Sequence, residues 1–217
     1  MNKKAYLFDF DGTLVDSMPT FSSVMLGILD EYGIPYGEDT VKIITPLGYA
    51  GTAAYFVGLG IKESPERLVE KMQQNALDSY AHHIPEKKGV SETLKTLKAN
   101  GAELCVLTAS PHSALDVCLK RLGLYDLFTH VWSCDDFGTT KANPDIYKMA
   151  ASKMGFRPED VIFVDDNVNA VRTAREAGMM AYGIFDESSA DCVGEMQKSA
   201  YRYFKEFSEL LEEKDAF

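Results

Sequence analysis

Short apolar runs alternate with helical patterns along most of this sequence. Three runs predict buried parallel strands and a fourth predicts a further strand: residues 5–10, 102–108, 161–166 and 180–185. The helical patterns between and beside them each end at a glycine: residues 90–101, 113–123, 144–155 and 170–178. Strands that alternate with helices of this length indicate an α/β fold, a doubly wound parallel sheet.

One stretch interrupts this alternation. Residues 15–85 contain helical patterns, at 21–33 and 65–80, but no clear strand. A connection of about 70 residues between two neighbouring strands is far longer than an ordinary crossover. We therefore expect a core domain of residues 1–15 and 86–217, and an inserted α-helical domain of residues 16–85. Hinges are expected near Val15 and between Pro85 and Gly89.

Polar residues follow the predicted strands where each strand ends. They are Asp9 and Asp11 in FDFDGTLVDS, Thr108 and Ser110 in VLTASP, and Asp165 and Asp166 in VDDN. Because ligands of open α/β sheets bind at the carboxyl ends of the strands, we expect these side chains to share one site. Lys141 precedes a helix with Pro144 at its start, and could join them.

These residue types together suit phosphoryl transfer. Four carboxylates in one small space repel each other unless a cation is present, and a few hard oxygen ligands suit Mg²⁺. A carboxylate can accept a phosphoryl group, a second can carry a proton, and a lysine with hydroxyls and amides can hold the phosphate. Each residue alone has a plainer interpretation: a turn at Asp11-Gly12, a helix cap at Asp165-Asp166, a surface charge at Lys141. Their joint placement favours a site.

The net charge and the composition limit the classes of partner that we expect for this protein. The formal net charge of −11 argues against nucleic acid and anionic membranes, both of which require basic patches. No apolar run approaches the roughly 18 residues needed to span a bilayer. The first residues are expected to form a strand and not a signal peptide, and none of the four cysteines has the close spacing of a metal or redox motif. A cytoplasmic protein with reduced thiols is therefore expected.

The motif FDFDGTLVDS resembles the first motif of the haloacid dehalogenase (HAD) superfamily, in the branch with phosphoglycolate phosphatase and β-phosphoglucomutase. The resemblance covers nearly the whole chain. It implies a HAD-type Rossmann-like core with an inserted α-helical cap domain that closes over the site. It also implies that Asp9 is the nucleophile and a metal ligand, and that Asp11 is the general acid/base and binds the metal through its carbonyl.

The remaining motifs are similar to the family's as well. Thr108, with the amides of Ala109 and Ser110, matches the phosphate-binding second motif, and Lys141 in KANPDIY matches the third-motif lysine. Asp166 matches the fourth-motif metal ligand and Asp165 its acidic neighbour. Two positions depart from the pattern. Ala142 replaces a common proline, and Ala170 stands where a second aspartate often lies, so which of Asp165 and Asp166 contacts the metal stays open.

The function expected from these residues is a Mg²⁺-dependent phosphatase that hydrolyses a small phosphorylated metabolite through an aspartyl-phosphate, as a monomer or homodimer. A phosphomutase of the β-phosphoglucomutase type is an alternative, and would need a second phosphate site among the basic cap residues Lys42, Lys62 and Arg67. A non-catalytic binding protein on the same scaffold is another. Residues 45–60, rich in glycine and small side chains, are expected to form either a substrate-facing loop and helix start or ordinary helix packing.

Overall fold

A computed structural model describes residues 4–212. Its central element is a parallel sheet with the strand order β3-β2-β1-β4-β5-β6. The strands are β1 (Ala5–Phe8), β2 (Glu103–Thr108), β3 (His130–Ser133), β4 (Val161–Asp165), β5 (Met180–Ile184) and β6 (Arg202–Phe204). The predicted fold class, a doubly wound parallel α/β sheet, is confirmed.

Helices account for most of the remaining chain. In order they are α1 (Met18–Glu31), α2 (Thr40–Ile44), α3 (Gly48–Gly58), α4 (Pro65–His82), α5 (Val90–Ala99), α6 (His112–Arg121), α7 (Asp145–Met154), α8 (Val168–Glu176) and α9 (Val193–Ser199). The segment 45–60 forms a short 3-10 turn, Thr45–Leu47, followed by α3.

The sequence missed both edge strands. β3 is half-exposed along three of its four residues, and β6 is only three residues long, so neither forms a continuous apolar run. The first strand is also shorter than its apolar pattern, because the chain turns after Asp9. The amide groups of Leu14 and Val15 both donate to the carbonyl of Phe10, and Gly12 adopts a φ of 75°. Such a backbone angle favours glycine.

The chain divides into two compact units. Met1–Asp16 and Pro85–Phe217 form the unit that contains the sheet, and Ser17–Ile84 forms the second unit. In the sheet unit, β1 and β4 pack against α7 and α8 through fully buried side chains such as Leu7, Phe163 and Tyr147. The second unit has its own core among α1, α3 and α4, with Ile28, Phe56 and others buried completely.

The two segments that lead to and from the inserted unit pair with each other inside the sheet unit. Val15 forms an antiparallel bridge with Glu86, and the amide of Asp16 donates to the carbonyl of Pro85 at 3.0 Å. The amide of Lys87 donates to the carbonyl of Leu14 at 3.0 Å. Within residues 4–212 no helix combines the length and apolar character needed to cross a membrane.

Candidate active site

The topology places β1 at the point in the sheet where the direction of strand addition reverses. The chain builds β2 and β3 on one side of β1, and β4, β5 and β6 on the other, and ligands of open α/β sheets bind at such a switch point. Phe8 is paired with Val106 of β2 and with Val164 of β4. Asp9 follows at once, and its amide donates to the carbonyl of Val164 at 2.9 Å. Asp9 therefore lies between the ends of β2 and β4.

Three buried carboxylates meet there. One oxygen from each of Asp9, Asp165 and Asp166 lies within 4.8 Å of the others. Burial, with Asp165 and Asp166 adding to it, holds the pKa of Asp9 well above its ordinary range. Burial and then Asp165 raise the pKa of Asp166 to about 7. Carboxylates this crowded and this buried ionise cheaply only beside a cation, so the donor set fits a hard divalent ion such as Mg²⁺.

Lys141 supplies one positive charge to the cluster. Its ammonium donates to a carboxylate oxygen of Asp9 and, at 2.9 Å, to Oδ2 of Asp165. Burial opposes its charge, but Asp165 and Asp9 outweigh burial and raise the pKa of Lys141 above its ordinary value. The residue lies in the loop before α7, as its sequence context indicates. The hydroxyl of Tyr147, which the sequence did not single out, contacts the Lys141 carbonyl at 3.2 Å.

The two adjacent aspartates have different surroundings. Both carboxylate oxygens of Asp165 accept hydrogen bonds, Oδ1 from the amide of Asn167 at 2.7 Å and Oδ2 from Lys141. Asp166 instead interacts with Thr13, whose hydroxyl donates to Asp166 Oδ1 at 3.2 Å and accepts from the Asp166 amide at 3.1 Å. Thr13, in the first motif, and Asn167, the cap of α8, were missed by the sequence reasoning.

A second group of predicted residues lies at the end of β2. The Thr108 hydroxyl accepts a hydrogen bond from the amide of Ser110 at 3.0 Å, and the Ser110 hydroxyl donates to Oδ2 of Asp11. Ala109 is exposed beside them. The structure thus groups Asp9, Lys141, Asp165 and Asp166 directly. Thr108 and Ser110 are connected with the first motif through Asp11.

The family model for haloacid dehalogenase-like hydrolases matches residues 6–184, which span this whole arrangement. The chain belongs to this family. It is 32% identical to N-acetylmuramic acid 6-phosphate phosphatase of Pseudomonas aeruginosa, over 82% of this chain and 80% of the relative. It is also 27% identical to a phosphorylated carbohydrates phosphatase of Thermotoga maritima, over 83% of this chain and 85% of the relative. The resemblance stated from the motifs is confirmed.

Solved structures share the fold of this chain. A Thermotoga maritima protein considered to be a β-phosphoglucomutase superposes with a TM-score of 0.84, at 25% identity, over 93% of this chain and 94% of that one. A HAD family hydrolase of Deinococcus radiodurans superposes with a TM-score of 0.77 at 24% identity, covering 96% of this chain and 93% of the other. Because the identity to the Deinococcus radiodurans protein is below 25%, that comparison supports only the assignment of the fold.

Proposed function

We propose that this protein is a Mg²⁺-dependent phosphatase that hydrolyses a small phosphorylated metabolite through an aspartyl-phosphate on Asp9. One observation carries the proposal: Asp9, Asp165 and Asp166 meet at the end of the central strand, and the ammonium of Lys141 binds the first two. A structural salt bridge does not need three buried carboxylates for one lysine, because every unpaired buried charge is costly.

Membership of the family and the phosphatase names of its relatives make the protein a phosphoric monoester hydrolase, as the sequence predicted. The two relatives named above are, by their names, phosphatases of phosphorylated sugars or carbohydrates. A third relative is a phosphoglycolate phosphatase of Pseudomonas aeruginosa, which is 31% identical over 80% of this chain and 66% of its own length. These names favour a small phosphorylated metabolite as the substrate of this chain.

The metal would be held by Asp9, Asp166 and the backbone carbonyl of Asp11. Asp166 is the better candidate of the adjacent pair, because both oxygens of Asp165 already accept hydrogen bonds from Lys141 and from the Asn167 amide. When bound, the ion would neutralise the carboxylates and the phosphoryl oxygens together. Asp165 would act by holding Lys141.

Asp9 would attack phosphorus with a carboxylate oxygen, forming a new O–P bond while the bond from phosphorus to the substrate's oxygen breaks. The departing alkoxide would take a proton from Asp11, which would later remove one from the water that hydrolyses the aspartyl-phosphate. Ser110, which donates to Asp11, is suited to orient that carboxyl group. Lys141 and Thr108 would hold the transferring phosphoryl group.

The phosphomutase alternative requires a second phosphate site, and the basic cap residues offer little support for one. Lys42 pairs with Asp39 at 3.3 Å and Arg67 with Glu70 at 2.9 Å, each three residues away on the surface of its own helical segment. Lys62 is exposed. Exposed pairs of this kind contribute little to stability and are typical of a solvated surface.

The test is phosphate release with Mg²⁺, from p-nitrophenyl phosphate and from a panel of phosphorylated sugars and small phosphorylated acids. A phosphatase releases inorganic phosphate in proportion to substrate consumed, whereas a mutase yields an isomeric phosphoester. EDTA is expected to abolish turnover and Mg²⁺ to restore it, with Ca²⁺ a poor substitute because its looser coordination misplaces the nucleophile. Full activity in EDTA, or no release from any substrate, contradicts the proposal.

A further inference from the structure

Lys87 is a largely buried lysine close to the first motif that the proposed mechanism does not use. Its side chain is 18% exposed, and its ammonium has three acceptors: the carbonyl of Gly12 at 2.6 Å, the carbonyl of Phe185 at 2.6 Å, and Oδ2 of Asp186 at 2.8 Å. An ammonium has three donors, so these contacts saturate it. The lysine therefore connects the loop after β1 with the end of β5.

The peptide that Lys87 binds is placed between functional groups. Gly12 directly follows Asp11 and directly precedes Thr13, whose hydroxyl exchanges hydrogen bonds with Asp166. Gly12 also packs tightly: a Cβ at this position would come within 2.7 Å of the Asp166 carboxylate. A small displacement of the Gly12 carbonyl would therefore move both flanking residues and disturb the contact with Asp166.

Asp186 is the counter-ion of Lys87, and its carboxylate is also held by other hydrogen bonds. It is 4% exposed, and its other oxygen, Oδ1, accepts from the amide of Ser188 at 2.9 Å and from the Ser188 hydroxyl at 2.6 Å. These bonds fix the carboxylate independently of Lys87. The neighbouring Lys88 provides a contrast, since its ammonium is exposed and pairs with the surface residue Glu206 at 3.1 Å.

We infer that Lys87, held by Asp186, is a positioning residue for the reaction: by binding the Gly12 carbonyl it fixes the segment that carries Asp11 and Thr13 beside Asp166. The inference rests on the proposed function. Lys87 would touch neither substrate nor metal, and its effect would be transmitted through the Gly12 peptide. Loss of the ammonium is expected to slow the chemical step more than it weakens substrate binding, because catalytic groups must be held to within a fraction of an ångström.

The test compares Lys87→Met with Lys88→Met, which removes an adjacent lysine of the same length from the surface. Lys87→Met is expected to lower kcat at least tenfold with KM changed less than threefold, whereas Lys88→Met stays within twofold of the parent. Lys87→Arg keeps the charge, but its planar fork cannot place donors on the same three acceptors, so a loss of at least threefold in kcat is expected.

Amide hydrogen exchange supplies a readout independent of turnover. The amides of Gly12, Leu14 and Val15 donate within the loop after β1. They are expected to exchange at least tenfold faster in Lys87→Met and at the parental rate in Lys88→Met. If Lys87→Met does not fold, Lys87→Arg provides both measurements. Unchanged kcat and unchanged loop exchange in a folded Lys87 variant would overturn the inference. A parent protein with no phosphatase activity would refute the proposed function instead.

Discussion

The ammonium of Lys141 lies 2.9 Å from Oδ2 of Asp165, and the other oxygen of that carboxylate accepts the Asn167 amide at 2.7 Å. The aspartate is 1% exposed and its hydrogen bonds occupy both oxygens, so it is placed to orient the lysine. Asp166, bound by Thr13 through Oδ1, is placed differently. This distinction separates two residues that the sequence presents as an equivalent pair.

Mg²⁺ affinity should therefore distinguish the two aspartates. Asp166→Asn is expected to weaken Mg²⁺ binding at least thirtyfold, because a charged ligand is lost from a site with few protein ligands. Asp165→Asn is expected to change Mg²⁺ binding less than fivefold while lowering kcat about tenfold or more, through misplacement of Lys141. Isothermal titration of each variant with Mg²⁺ measures the first effect. The reverse order of affinities would assign the metal to Asp165.

Asp9→Asn should remove turnover and leave the fold intact. The amide is isosteric with the carboxylate but cannot accept the phosphoryl group, so a loss of at least a thousandfold in kcat is expected. Asp16→Asn is the matched control, since it makes the same change in the same motif at an exposed position, and its activity should stay near that of the parent. Circular dichroism checks the fold. Residual Asp9→Asn activity within tenfold of the parent would be incompatible with a covalent intermediate on Asp9.

Asp11→Asn should affect two substrates differently. An alkyl phosphate has a poor leaving group that needs a proton, and p-nitrophenol needs much less help, so formation of the aspartyl-phosphate should slow more for the alkyl ester. Hydrolysis of the aspartyl-phosphate is common to both substrates and should slow for both. Stopped-flow measurements should then show a burst of p-nitrophenol followed by slow turnover. Equal slowing of both substrates without a burst would indicate that Asp11 positions groups and carries no proton.

The stability of the metal-free protein should fall as pH rises toward neutrality. Asp166 has a folded-state pKa of about 7, against an ordinary value of 3.8. The folded state therefore retains a proton that the unfolded chain releases, and stability present at low pH is lost as pH rises through 7. Between pH 5 and 7.5 this amounts to about 2 kcal/mol in the free energy of unfolding. Urea unfolding in EDTA measures it.

Two comparisons isolate the contribution of Asp166. Asp166→Asn should make the slope shallower, and saturating Mg²⁺ should do so further in the parent, because the ion replaces the protons of the carboxylate cluster. Asp9 and His112 remain as a background. Burial raises the pKa of Asp9, hydrogen bonds with Asp116 and Asp136 raise the pKa of His112, and both groups give a loss in the same direction. A metal-free protein whose stability does not fall over this range would show that the carboxylate cluster is already ionised at pH 5.

The sequence by itself determined two features of this protein. They are the central strands, which depend on local apolar pattern, and the convergence of the aspartates that follow those strands. The apolar runs predicted β1, β2, β4 and β5, and with them the parallel sheet. Carboxyl ends of parallel strands meet at one edge, so the positions of Asp9, Asp165 and Asp166 could be predicted to converge without coordinates. The edge strands β3 and β6 could not be predicted, because they are short and half-exposed.

Only the tertiary structure decided how individual oxygens and donors are partnered. Asp165 and Asp166 are adjacent in sequence, and their separate partners, Lys141 and Thr13, come from remote segments. Lys87 and Lys88 are likewise adjacent residues of the same type, yet Lys87 is half-buried against Gly12 and Asp186, whereas Lys88 is exposed. Hydrogen-bond partners depend on which side chains long-range packing brings within about 3 Å, and residue patterns along a chain do not encode distances of that kind.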